Sequence, residues 1–181
     1  DICHRTSRVF VQVGGGAFAS CIGTSFQSIG VHPKLHAVQT EGCAPLARAF
    51  ERAQATGGAR NAGPRWSDCM WAWESEPHSA ADGILDDETY DWVAILDAMA
   101  DTQGSPVVAS ESNILRAHEL AHSLTDINVS ATGSSGLAGL LLAAQEPYAR
   151  AALGLGPDSR VLLFGTEGAT DPEVYDRLVN G

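Results

Sequence analysis

The chain has 181 residues, with one lysine, ten arginines and 22 acidic residues, for a formal charge of −11. The arginines lie singly along the sequence, so no basic patch can neutralise a run of phosphates or an acidic lipid surface, which argues against nucleic-acid and membrane partners. At 44% hydrophobic and 18% charged residues, the composition supports a packed core of about one domain, or a large part of one, rather than disorder.

The first stretch, Asp1 to Thr6, has neither the basic start nor the apolar core of a signal peptide, and no long apolar run follows, so a cytoplasmic protein is expected. Cys3, Cys21, Cys43 and Cys69 contain no Cys-x-x-Cys pair and suit reduced thiols. Opening on Asp1 rather than Met, in what reads as a linker into a strand, is expected of a fragment.

The first element is a strand over Arg8–Val13 (RVFVQV), which runs into Gly14, Gly15 and Gly16 and then into a helix over Ala17–Ile29. Glycines let the backbone turn tightly and approach a ligand, while free N–H groups at a helix start attract a phosphate. The same residues, Gly14-x-Gly16-x-x-Ala19, also satisfy the degenerate dinucleotide fingerprint, with Glu41 after the second strand near the place of a ribose-binding acid. This motif alone does not separate a bare phosphate site from a dinucleotide site. It is not a Walker A loop, since no Gly-Lys-Ser/Thr follows.

A strand over Leu35–Gln39 and a helix over Ala44–Ala55 come next. Lys34, the single lysine, falls in a loop between elements. Residues 56–81 read as an irregular, Trp-rich insertion, from the Gly-rich TGGARNAGP to RWSDCMWAWESE, and are expected to pack onto the domain. The acids Asp86, Asp87, Glu88 and Asp91 resemble a metal site at first sight. Their position at the start of a helix over Glu88–Asp101 makes cap and dipole stabilisation the better reading, and no metal is expected.

After a strand over Pro106–Ala109, Ser110 can cap a helix over Glu111–Thr125 whose apolar residues Ile114, Ala117, Ala121 and Leu124 share a face. This helix contains HELAH, His118 to His122, the His-Glu-x-x-His pattern of zinc peptidases, but both histidines fall at the rim of the apolar arc and no third ligand follows at the extended spacing. VSATGSSGLAGLL reads as a small-residue loop entering a helix over Leu137–Ala144. A strand over Arg160–Phe164 then exposes Gly165, Thr166, Glu167 and Gly168 at its C-terminal end, the edge where parallel sheets bind ligands. Asp171 and Pro172 open a last helix over Pro172–Val179.

Short β-branched runs alternating with longer amphipathic ones predict an α/β fold with a mostly parallel sheet. In motif and in order, VQVGGGAFAS, LHAVQTEGCAPLARAF, ILDDETYDW, SATGSSGLAGLL and VLLFGTEGATDPEVY resemble the C-terminal half of fold type II pyridoxal-phosphate enzymes. These belong to the tryptophan synthase beta superfamily, with threonine synthase, the threonine and serine dehydratases and diaminopropionate ammonia-lyase. The resemblance covers most of the chain from Arg8 onward, least surely the Trp-rich loop. It implies a three-layer αβα fragment of the large domain, with residues 1–181 a single partial domain.

By position, the resemblance implies that backbone N–H groups of Gly14, Gly15, Gly16 and Ala17 bind the phosphate of pyridoxal phosphate. It sets the Thr166 hydroxyl against the pyridine nitrogen and Ser134, with Ser135, at the border of the same pocket. A hydroxyl at the ring nitrogen suits β- or γ-elimination and replacement more than transamination. The family's Schiff-base lysine precedes the glycine loop and has no counterpart here, so Lys34 is not catalytic and this piece is expected to be inactive alone. The substrate class is an amino acid, with threonine synthase-like chemistry preferred and the tail TEGATDPEVY leaning toward ammonia-lyases. The partners implied are the missing N-terminal half and, in the complete enzyme, a second copy in a homodimer. The alternatives are a dinucleotide-binding oxidoreductase, a zinc peptidase or a non-catalytic ligand-binding module.

Overall fold

The computed structural model describes residues 2–180. Four strands form, β1 (Arg8–Gln12), β2 (Lys34–Thr40), β3 (Ser105–Ala109) and β4 (Val161–Leu163), hydrogen-bonded in the order β3-β2-β1-β4 with every neighbouring pair parallel. The helices in chain order are α1 (Ile2–Arg5), α2 (Ala17–Ser28), α3 (Pro45–Ala55), α4 (Trp66–Cys69), α5 (Trp92–Thr102), α6 (Glu111–Leu124), α7 (Ala131–Gln145), α8 (Pro147–Ala152) and α9 (Pro172–Asn180). Among the described residues, no helix is long and apolar enough to cross a membrane.

Strand pleating sorts β1 residue by residue between two cores, because successive side chains point to opposite faces. Val9, Val11 and Val13 pack with Phe26 of α2, Leu46 of α3 and Trp92, Leu96 and Met99 of α5. Phe10 faces the other way, with Val38, Val107, Ile114 and Ala117 of α6 and Ala138 of α7. The result is an α/β fold with a parallel sheet, as the sequence pattern predicts, in the three layers that the family resemblance implies. Helix α7 lies close on the sheet, since a Cβ on Gly136 would stand 2.9 Å from the carbonyl oxygen of Phe10. Its small residues are therefore a packing requirement.

Two helices start elsewhere than periodicity suggests. Helix α7 begins at Ala131 rather than Leu137, because the Ser130 hydroxyl accepts the Gly133 N–H at 2.9 Å and caps the small-residue run. Helix α5 begins at Trp92 rather than Glu88, and Asp91 occupies the cap position without a side-chain cap bond. Residues before it are held instead by long-range hydrogen bonds to the glycine loop. The cap on α6 is as expected, with Ser110 Oγ accepting from Asn113 N–H, but Leu124 is exposed while His118 is buried, so the inward face is rotated from the expected one. Helices α1, α4 and α8 lie in segments where the sequence predicts no helix.

The Trp-rich stretch packs onto the domain. Trp66 meets Trp92 edge-on at 5.4 Å, and the Arg48 guanidinium of α3 lies 4.1 Å from the Trp71 ring while pairing with Glu74 at 2.7 Å. Cys69 and Met70 are buried in the first core.

His36, in β2, is buried against Phe10 at 4.8 Å. Desolvation lowers its pKa from 6.5 to about 4, the Ser105 carbonyl opposing the shift. The folded state therefore binds fewer protons than the unfolded chain between pH 6.5 and about 4. This contribution is complete above pH 6.5 and is lost as the pH falls to about 4, about 3 kcal/mol in all. Urea unfolding across that window should show a steeper loss of stability in the wild type than in His36→Leu. Parallel pH profiles for the two proteins would contradict this.

Candidate active site

The central strand β1 delivers the chain to the C-terminal edge of the sheet, where Gly14, Gly15 and Gly16 turn it into α2. Gly16 takes the N-cap position in a left-handed conformation, with φ of 102° and no side-chain cap. That conformation is accessible to glycine at little cost. Two bonds then fix which way the loop's polar groups face. The buried Thr89 hydroxyl donates to the Gly14 carbonyl at 3.0 Å, and the Asp91 N–H donates to the Gly15 carbonyl at 3.1 Å. With these carbonyls bound, the N–H groups of Gly14, Gly15, Gly16 and Ala17 make no hydrogen bond among the described residues.

The loop borders a cavity of about 630 Å³ that also takes in Gln12, Ala17, Phe18, Tyr90, Thr132 and Thr166. No lysine or arginine lines it. The positive ends it presents are the unbonded amides and the N-terminus of the twelve-residue α2. Negative groups lie nearby, since Asp91 Oδ2 accepts from Ser20 Oγ at 3.2 Å and a Cβ on Gly14 would meet Asp86 Oδ2. Gly15 keeps the approach open, as a Cβ there would have Tyr90 Cδ2 at 3.3 Å as its nearest neighbour.

Across the cavity, Thr166 follows the end of β4 and is held by Gln12, whose Nε2 lies 2.5 Å from Thr166 Oγ1 and 3.2 Å from the Phe164 carbonyl. Of the residues singled out from sequence, Gly14, Gly15, Gly16, Ala17 and Thr166 thus share one cavity. Ser134 does not line it. It lies in α7, buried, with its hydroxyl donating to the Ser130 carbonyl at 3.0 Å, and Thr132 one half-turn earlier faces the cavity instead. The earlier start of α7 turns Ser134 and Ser135 inward.

Sequence reasoning did not single out Gln12, Thr89 or Gln39. Gln39 Oε1 accepts the N–H groups of Leu46 and Ala47 at the start of α3, while its Nε2 reaches Thr89 Oγ1 at 3.4 Å. A signal existed for Gln12, a polar residue in a strand whose other buried residues are apolar, whereas Gln39 shares β2 with the buried His36 and Thr40. Thr89 carried none, since its partner lies 75 positions away.

The other candidates are engaged elsewhere. Glu41 Oε1 accepts the N–H of Glu111 at the start of α6, at 3.0 Å. His118 is buried edge-on against Tyr175, burial lowering its pKa, and His122 Nδ1 lies 2.9 Å from the Tyr175 hydroxyl. Among the described residues no three His, Cys, Asp or Glu side chains group as metal ligands. Cys43 Sγ donates to the Asp86 carbonyl at 3.2 Å, and burial, then Asp87 and Asp86, pushes its pKa up to about 11, leaving an unreactive thiol. Lys34 stands at the wrong end of the sheet. It opens β2 in register with Arg8, and its Nζ lies near Gly154, whereas the glycine loop follows Gln12. A five-residue strand separates the two ends by roughly 13–17 Å.

A family model described as pyridoxal-phosphate dependent enzyme matches residues 3–166. The fold is similar to diaminopropionate ammonia lyase from Escherichia coli, with a TM-score of 0.71 and 17% identity over 97% of this chain and 42% of that one. It is also similar to a threonine deaminase from T.th., with a TM-score of 0.64 and 20% identity over 90% of this chain and 50% of that one. Threonine deaminase isoform 2 from Solanum lycopersicum gives 0.70 and 16%, over 96% and 43%. The chain thus spans half or less of the length of these proteins. No curated protein matches it.

The left-handed turn should be measurable in stability. In Gly16→Ala the new Cβ would stand 2.8 Å from Ile95 Cδ1 in a backbone conformation that L-residues adopt at a cost of about 1–2 kcal/mol, so urea unfolding should show at least that loss. A variant as stable as the wild type would show that the loop relaxes to another conformation.

Proposed function

The chain belongs to the pyridoxal-phosphate dependent enzyme family, and on that premise we propose that it holds the cofactor's phosphate and pyridine ends in an enzyme for elimination or replacement on an amino acid. The observation that carries this reading is the set of amides at Gly14, Gly15, Gly16 and Ala17 that make no hydrogen bond among the described residues, bordering a cavity that Thr166 also lines. The residues fit the group, since a glycine-lined helix start suits a phosphate and a neutral hydroxyl suits a ring nitrogen. Bound pyridoxal phosphate supplies an electron sink for charge developing at the substrate's α-carbon.

The chain's own contribution is binding and orientation. Gly14 to Ala17 receive the phosphate through main-chain donors that no side chain can obstruct. Thr166 offers one hydroxyl to the ring nitrogen in place of a carboxylate, which leaves the ring free of enforced protonation and favours loss of a β- or γ-substituent. Phe18, in edge-to-face contact with Phe164 at 5.3 Å, gives the cavity one apolar wall. Within elimination and replacement, threonine synthase-like chemistry is the preferred reading and amino acid ammonia-lyase chemistry the second, the latter supported by the tail TEGATDPEVY. The proton-transferring lysine is the part this chain does not provide, as Lys34 sits at the opposite sheet edge. The isolated chain is accordingly a cofactor cradle without turnover.

Two measurements test this. Gly15→Val places a branched side chain on the approach to the loop and should lower affinity for pyridoxal phosphate at least about tenfold, while the fold survives because Gly15 has no left-handed φ. Unchanged affinity would move the phosphate elsewhere. Borohydride reduction of the chain with pyridoxal phosphate should leave no specific label on Lys34 and no turnover of serine or threonine. Stoichiometric labelling of Lys34 with turnover would refute the cradle reading.

A further inference from the structure

Gln12 is the last residue of β1 and points to the same sheet face as Phe10, in a strand whose other buried residues are apolar. Its side chain is 6% exposed. Nε2 lies 2.5 Å from Thr166 Oγ1, 3.2 Å from the Phe164 carbonyl and 3.4 Å from the Gly133 carbonyl, while Oε1 is buried with no partner among the described residues. The two carbonyls can only accept, so the end of the amide that faces them must be the NH2 group. That settles the orientation of an amide whose oxygen and nitrogen are otherwise hard to tell apart. Reversing it would set Oε1 against two carbonyl oxygens.

We infer that Gln12 is a positioning residue that holds the Thr166 hydroxyl as a hydrogen-bond donor toward an unprotonated ring nitrogen. The inference rests on the reading of Thr166 as the partner of that nitrogen, and goes beyond it by naming what sets the hydroxyl's polarity. A threonine hydroxyl has one proton to give and two lone pairs. Gln12 occupies one lone pair, and the hydroxyl proton has no acceptor among the described residues. The proton is thereby directed into the cavity, where a neutral pyridine nitrogen, an acceptor, completes the chain of hydrogen bonds. A pyridinium would present a second donor and leave the hydroxyl proton unpaired. Gln12 therefore lowers the pKa of a ring nitrogen bound at Thr166, at a distance and without touching it.

The probe is 4-deoxypyridoxine 5′-phosphate, which carries the phosphate and ring nitrogen but no aldehyde and so needs no lysine. With nitrogen-15 in the ring, its protonation is read by NMR as a function of pH when bound to the wild type, Gln12→Met and Gln12→Glu, each first shown to be folded by thermal melting. Gln12→Met keeps the shape and removes the donor, so the nitrogen's pKa should rise, the protonation constant increasing about tenfold, the worth of one hydrogen bond. Gln12→Glu should raise it further, because a carboxylate accepts the hydrogen bond of the Thr166 hydroxyl and leaves the Thr166 oxygen to accept from a protonated ring nitrogen. A purely structural role would not give this order. In a Thr166→Val background, on an exposed residue, the Gln12→Met effect should vanish. Binding with the same nitrogen pKa in all variants would overturn the inference and leave the cofactor reading standing. Failure of the wild type to bind the probe would overturn both.

Discussion

The site depends on where two carbonyl oxygens point. A strand that ends in three glycines can fold its turn in many ways, and only some leave the amides free at the start of the next helix. Here Thr89 takes the Gly14 carbonyl and the Asp91 N–H takes the Gly15 carbonyl, so the donors of Gly14, Gly15, Gly16 and Ala17 are the groups left facing the cavity. Both partners come from the segment just before α5, which explains why that helix starts at Trp92 and not in the acidic run before it. Thr89 is in turn within reach of Gln39, which caps α3 from the end of β2. One buried hydrogen-bonded unit thus joins the glycine loop, β2, α3 and the entry to α5. Such a unit is valuable only when its members are satisfied together.

The same sheet edge collects the other half of the site for a simple geometric reason. All four strands are parallel, so their C-terminal ends lie together, and the residues that follow β1 and β4 meet across one opening. Pleating assigns Gln12 to the α7 side of the sheet, where it reaches Thr166, while Val13 packs into the opposite core. The close approach of α7, enforced by Gly136 over the Phe10 carbonyl, brings Thr132 to the cavity wall. It also buries Ser134. The parallel arrangement places Lys34 and Arg8 at the far edge, so the single lysine is separated from the site by the length of β1.

Much of the fold was legible in the sequence because it is carried by local signals. The four β-branched runs, the Ser110 cap and Asp171 before Pro172 each act within a few residues, and each is found in the structure, with Asp171 Oδ1 accepting from Glu173 and Val174. The glycine loop was legible as well, since three glycines between a strand and a helix are informative by themselves. What was not legible depends on distant partners. The start of α5 is set by the glycine loop, the inward turn of Ser134 by an early cap on small residues that read as a loop, and the burial of His118 by Tyr175 of α9. Gln12 carries a local signal but a distant partner. A glutamine in a buried parallel strand needs a reason, and its reason is Thr166.

The central claim is that main-chain donors at the start of α2 receive the cofactor's phosphate, and amide NMR tests it most directly. In the nitrogen-15 labelled chain, titration with pyridoxal phosphate should shift the amide resonances of Gly14, Gly15, Gly16 and Ala17 most, with smaller changes at Thr166. The contrary result is a largest response in the separate cavity of about 300 Å³ between α2 and α5, which is lined by His32 and by Arg60, the latter paired with Asp101. Shifts centred there, with the glycine amides unmoved, would show that the loop is a tight turn and not a phosphate cradle.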